Sequence, residues 1–210
     1  MLLIILTAII SLSQAFADTI ELKGTQNIYY RAFINESTLC FQYKTNKNWS
    51  ASKIIDENVS EYAMTVTSGD YIHLVWVKQG RVYYKMNMYP VTKDSLKKNG
   101  TPRWECNIAI SPYFTEPASN LAIYTKDGFL NVIWQVPLEG YLSQVENWRR
   151  ARWLGNTPFD WEEPQNISPN EMPTFDIPHS SNNRDPIQMK RISFLQVGLT
   201  STADGKLVKM

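Results

Sequence analysis

The chain has 210 residues, with 21 basic residues against 20 acidic ones and 12% aromatic content. A charge balance this close to neutral excludes a strong field for nucleic acid, and the one dense basic spot, Trp148-Arg149-Arg150-Ala151-Arg152, is too short to form a patch. Its two histidines and two cysteines show no metal-ligand spacing, and no motif calls for a cofactor.

The first 17 residues stand apart from the rest. Residues 2–12 are an apolar run of signal-peptide length, too short to span a bilayer, and Ala15-Phe16-Ala17 ahead of Asp18 has the spacing of a cleavage site. The expectation is a signal peptide over 1–17, a secreted or extracytoplasmic chain, and no membrane association once the leader is removed. A retained N-terminal anchor is the alternative.

Beyond the leader the pattern is that of short strands. Residues 28–34 and 38–44 flank the turn Asn35-Glu36-Ser37, and a strand predicted over 49–55 closes a first unit. Residues 62–67 open a second. Its hairpin runs over 71–77 and 81–86 around Gln79-Gly80, and its outer strand is predicted over 104–110. Between hairpin and outer strand, residues 89–102 are predicted as a surface loop. A third unit takes strands over 121–125 and 130–136, a return within 141–153 and an outer strand over 161–168. Residues 169–192 are a loop insertion, because Pro169, Pro173, Pro178 and Pro186 cannot donate to a ladder. Residues 193–200 and 203–208 then resemble the start of a fourth unit.

Two sets of tryptophans report one period. Trp76 and Trp134 end corresponding apolar runs, while Trp49, Trp104 and Trp161 each follow a polar loop, and both sets step by about 57 residues. Such self-similarity, with four strands per repeat, is the sequence mark of β-propeller blades. The predicted fold is all-β, a partial propeller of about three to four four-stranded antiparallel blades. Residues 18–168 form three blades and 193–210 the start of a truncated fourth. A ring generally closes with four or more, so further blades or a second copy of the chain would complete it. An irregular β-sandwich with tryptophans in its core is the alternative.

Gly69, His73-Leu74-Val75-Trp76, Val82-Tyr83-Tyr84-Lys85 and the Trp that precedes Ile-Ser resemble the sialidase-like propellers built from bacterial neuraminidase repeats. The resemblance spans residues 28–168. Of that family's Asp-box turn, S-x-D-x-G-x-T-W, only the Trp is kept here, with Asn46 near the place of the Asp. For an active member the resemblance implies three arginines clamping the substrate carboxylate, an Asp acid/base and a Tyr nucleophile activated by a Glu. Tyr30-Arg31-Ala32-Phe33 matches two positions of the Y-R-I-P motif that carries the first arginine. Arg31 is therefore the one catalytic candidate, if the chain is a sialidase at all; otherwise it is an exposed strand residue.

Other chemistry-bearing residues have plainer readings. His73 has Asn131 at the equivalent place in the next unit, which favours a position that accepts either polar residue over a general base. Glu162 and Glu163 are adjacent on a predicted strand, so they point to opposite faces and cannot flank one glycosidic bond. Cys40 and Cys106 either pair or stay as two buried thiols. Five N-x-S/T sequons, at Asn35, Asn48, Asn58, Asn99 and Asn166, lie mostly in predicted turns and are glycan acceptors if the host is a eukaryote.

The functional reading is an exported, non-catalytic propeller segment that binds a glycan or protein ligand through blade-end loops. Tyr113, Phe114 and Trp148 are its candidate stacking surfaces. The alternative is a fragment of an exo-sialidase or related glycoside hydrolase.

Overall fold

The structure, a computed structural model, describes residues 19–112, 117–137, 148–155 and 157–167, with the backbone of two strands at 199–201 and 207–209. The predicted leader, the proline-rich insertion, Tyr113 and Phe114 lie outside the described residues.

Three four-stranded antiparallel sheets carry the fold, and in each the strands lie side by side in chain order. Sheet one holds β1 (Ile20–Lys23), β2 (Tyr29–Asn35), β3 (Thr38–Lys44) and β4 (Lys53–Asp56). Sheet two holds β5 (Val59–Thr67), β6 (Tyr71–Lys78), β7 (Arg81–Met86) and β8 (Ile108–Ala109). Sheet three holds β9 (Ser119–Lys126), β10 (Phe129–Gln135), β11 (Trp148–Trp153) and β12 (Gln165–Asn166). A short antiparallel pair, β13 (Leu199–Ser201) and β14 (Leu207–Lys209), follows within the stretch expected to start a fourth unit.

Tight turns make this order possible. Glu36-Ser37, Gln79-Gly80 and Asp127-Gly128 each place both central residues at positive φ, the mirror-image turn whose twist matches the strands it joins. The first strands of the sheets neighbour one another, β1 against β5 and β5 against β9, while β13 lies against both β5 and β9.

Two apolar layers separate the three sheets. Tyr30, Leu39 and Phe41 of sheet one meet Ile72, Leu74 and Trp76 of sheet two, and Val75, Val82 and Tyr84 of sheet two meet Leu130, Val132 and Trp134 of sheet three. Strand β6 is therefore apolar on both faces, which accounts for its unbroken run Ile72 to Val77 apart from His73. Trp76 and Trp134 occupy the same place, sixth in the second strand of their sheets, with 0% and 1% exposure.

The second tryptophan set works differently from its predicted role. Each stands four residues ahead of its outer strand rather than inside it. Trp104 only bridges Asn87 while its ring meets Phe41 of sheet one edge-on at 5.0 Å; Trp161 bridges Trp153 and meets Tyr84 of sheet two at 4.8 Å. The backbone turns the indole into the inter-sheet layer, and ladder pairing resumes only afterwards. Trp49 of sheet one has no such ring partner among the described residues; Arg31 at 4.2 Å and Lys44 at 4.5 Å stack on it instead.

A buried carboxylate fastens sheet one to sheet two. Asp70, 1% exposed, accepts hydrogen bonds from the Tyr30 hydroxyl at 2.7 Å and from the Thr25 amide at 2.8 and 3.0 Å. A Cβ on Gly24 would lie 2.5 Å from Asp70 Oδ2, so a side chain there collides with the clamp.

Two elements differ from the sequence expectation. The predicted loop over 89–102 contains a helix, α1 (Lys93–Asn99), started by a capping box between Thr92 and Ser95 and stopped at Gly100 with φ of 69°. Strand β1 was not expected; Ile20 and Leu22 bury alternate side chains, and the Tyr62 hydroxyl accepts the Ile20 amide at 3.2 Å and donates to the Ala32 carbonyl at 2.8 Å.

Candidate functional site

An open cleft lies at the outer edge where sheets one and two meet, with a volume of about 400 Å³. One wall is β4, which contributes Lys53 and Ile54. The other is the chain from the end of α1 to Glu105, and Lys85 of β7 reaches in from sheet two.

Local bonds hold this second wall in place. The Glu105 amide donates to the Met86 carbonyl at 2.8 Å and the Met88 amide to the Arg103 carbonyl at 2.7 Å, so residues 103–105 run along the end of β7. The Tyr43 hydroxyl donates to the Gly100 carbonyl at 3.2 Å, which ties the helix end to sheet one. Arg103 is exposed and lies over the Tyr89 ring at 5.8 Å.

The charge in the cleft is unbalanced. Lys53, Lys85 and Arg103 line it with a single acid, Glu105. Burial pushes the Lys85 ammonium below the usual lysine value; Asp56 and Cys106 oppose this, and Lys53 adds to it. Behind the lining lie two unsatisfied donors. Trp104 Nε1 and Thr101 Oγ1 are buried and have no hydrogen-bond partner, a condition that costs about 1–3 kcal/mol per group. Trp161, which fills the corresponding place in sheet three, donates its Nε1 to the Pro158 carbonyl at 3.1 Å. Ile54 is 56% exposed and supplies an apolar edge.

Arg31 lies apart from this cleft, on the face of sheet one that turns away from sheet two. Its guanidinium stacks on Trp49 and, at 5.6 Å, on Phe33, and its Nε donates to Gln42 Oε1 at 2.7 Å. Burial lowers its pKa and Glu21 partly restores it. Arg31 is half-buried, and among the described residues no second arginine is grouped with it as a clamp would require. Arg152, on sheet three, pairs with Glu162 at 3.4 Å and lies over Phe129.

Trp148 begins β11, partly buried, and its carbonyl accepts the Ile167 amide at 3.2 Å; it is remote from the cleft in the fold. His73 is fully buried, third in β6 as Asn131 is third in β10. Its Nδ1 is 2.8 Å from the Tyr84 hydroxyl and its Nε2 is 2.9 Å from Thr67 Oγ1. Burial drives its pKa down to about 3, so it stays neutral near pH 7 and acts as a structural bridge.

Cys40 and Cys106 are both free. Cys40 is buried in the middle of sheet one while Cys106 is exposed beyond the Trp104 latch of sheet two, so neither the pairing nor two buried thiols describes them. All five sequon asparagines, Asn35, Asn48, Asn58, Asn99 and Asn166, are exposed.

The cations of the cleft were not singled out in the sequence, which marked only Trp104 as a repeat tryptophan and Asn99 as a sequon. Lysines beside a β-branched strand and an Arg next to a Trp look like ordinary surface, and only the packing of β4 against the loop after α1 groups them. Among the described residues there is no cluster of His, Cys, Asp or Glu suited to a metal, and no helix is long and apolar enough to cross a membrane. No protein-family model matches the chain, and no curated protein matches it.

Proposed function

We propose that the three sheets are successive blades of a β-propeller, with β13 and β14 in a fourth, and that the chain is an exported, non-catalytic binding module. Its ligand, a glycan or a protein, is held at the rim cleft between the first two sheets. The propeller reading is supported by the matching places of Trp76 and Trp134, by the chain-order meanders and by the neighbouring first strands. In a ring of this kind the face of sheet one that carries Arg31 and Trp49 is where a closing blade packs. Export is supported by the apolar leader and by the exposure of the sequon asparagines.

One observation carries the preference for binding over hydrolysis. The cleft gathers three cations and one carboxylate, whereas glycoside hydrolysis needs two groups, an acid and a base or nucleophile, on either side of the scissile bond. The alternative, a fragment of an exo-sialidase, needs Arg31 free to grip a carboxylate, and it is stacked between aromatic rings.

A glycan array and a fluorogenic sialoside, each applied to the purified chain, separate the two. Selective array binding without hydrolysis is expected. Turnover of the sialoside that disappears on Arg31→Ala would overturn the reading in favour of the hydrolase.

A further inference from the structure

We infer that the rim cleft receives a compact oxyanion, a carboxylate, sulfate or phosphate group on a ligand about the size of one sugar residue. This rests on the binding reading above and names the chemistry of that same site.

Three cations arrive there from separate elements: Lys53 from β4, Lys85 from β7 and Arg103 from the loop after α1. None of them forms an ion pair; the pairs among the described residues lie at Lys44–Glu21, Lys78–Asp56 and Arg152–Glu162. Asp56, at the end of β4, is already committed. It accepts from Trp76 Nε1 at 3.0 Å, Lys78 Nζ at 2.6 Å and Asn107 Nδ2 at 3.3 Å. Burial of Lys85 and the charge of Lys53 both disfavour the Lys85 ammonium, Asp56 and Cys106 offset this only in part, and an anion in the cleft favours the charged form.

Two neutral donors lie buried behind the cations rather than on the cleft surface. The Trp104 indole and the Thr101 hydroxyl both have hydrogens to donate and nothing to receive them. That Trp161 is satisfied at the corresponding place shows that the latch itself does not require an unpaired indole. The lining cations fit an anionic ligand, and a cation or a wholly apolar group does not match them. Arg103 adds a planar fork suited to two oxygens at once. Ile54 provides the apolar contact beside it. The volume of about 400 Å³ is at the lower end of small-molecule sites, which suits one charged ring or a free oxyanion rather than a long chain.

The test titrates the full chain with sodium sulfate, sodium phosphate and glucuronate, with glucose as the neutral control, followed by calorimetry and by tryptophan fluorescence. The inorganic ions probe charge alone and glucuronate probes a carboxylate on a sugar. Saturable binding of at least one anion and none of glucose is expected, weakening as sodium chloride is raised. Lys85→Met and Arg103→Gln should each weaken binding about tenfold while keeping side-chain bulk. Lys53→Gln, at an exposed position, tests the same charge without touching the core, and a loss of about threefold is expected. Absence of saturable binding for all three anions would overturn the inference. So would binding unchanged in the three variants when their melting temperatures match the parent. If a neutral glycan binds on the array and ignores all three substitutions, the binding reading stands and the anion site falls. If the anions bind as described and no glycan or protein ligand is found, the reverse holds.

Discussion

Replacing Asp70 by Ala removes the acceptor that joins sheet one to sheet two. Two donors lose their partner at once, the Tyr30 hydroxyl and the Thr25 amide, and the first of these belongs to a side chain with 0% exposure. Hydrogen bonds to a charged acceptor contribute about 1.5–3 kcal/mol each, so the loss comes to about 4 kcal/mol. For a chain of this size each kcal/mol moves the melting temperature by about 2–4 °C, which places the drop near 10 °C. Thermal and urea denaturation followed by circular dichroism measure it. The Tyr30→Phe variant should lose about 1.5–2 kcal/mol alone, and the double variant much less than the sum, because both substitutions delete the same bond. Strict additivity, or an Asp70→Ala loss under about 1 kcal/mol, would refute the clamp.

Asp56 carries a pH signature. Burial opposes its ionisation, but the hydrogen bonds from Lys78, the Glu57 amide and Trp76 outweigh this and hold its carboxyl below the usual carboxylate range. A carboxyl lowered on folding contributes stability that is fully present above the unfolded value of about 3.9 and is lost as pH falls through the folded value. Stability measured between pH 6 and pH 2 should therefore fall less steeply below about pH 4 in Asp56→Asn than in the parent; parallel curves would contradict this. Trp161→Ala removes the edge-on contact with Tyr84 and the bond to the Pro158 carbonyl, with an expected cost of about 2 kcal/mol in a urea titration; Trp161→Phe should recover about half. Secretion from a eukaryotic host should add N-glycans that peptide N-glycosidase removes, seen as a mass shift. Because Asn99 lines the cleft, a glycan there should weaken anion binding and Asn99→Gln should restore it.

Much of the strand plan could be read along the chain. The hairpin of β6 and β7 is bounded by Gln79-Gly80, and the observed strands differ from the expected ones by a residue or so. The short outer strands were harder, since a Trp beside polar residues marks a strand and a latch equally well. The helix α1 had its signals in plain view, Thr92, Ser95 and Gly100, but the lysines around Leu96 resemble a loop until that one leucine is seen to be buried. The candidate site was the least legible part. Lys53, Lys85 and Arg103 are distant in sequence and share no motif; Arg31 and Trp148 lie elsewhere, and Tyr113 and Phe114 fall outside the described residues.

The amino-acid pattern alone determined the β-class, the repeat step and the turns, because alternation, β-branched runs and Gly-containing turns are local consequences of backbone sterics. Tertiary structure decided which charges stay uncompensated. Whether a lysine has a counter-ion, or an indole an acceptor, depends on what the neighbouring sheet brings within about 3–4 Å, and no local rule encodes that distance.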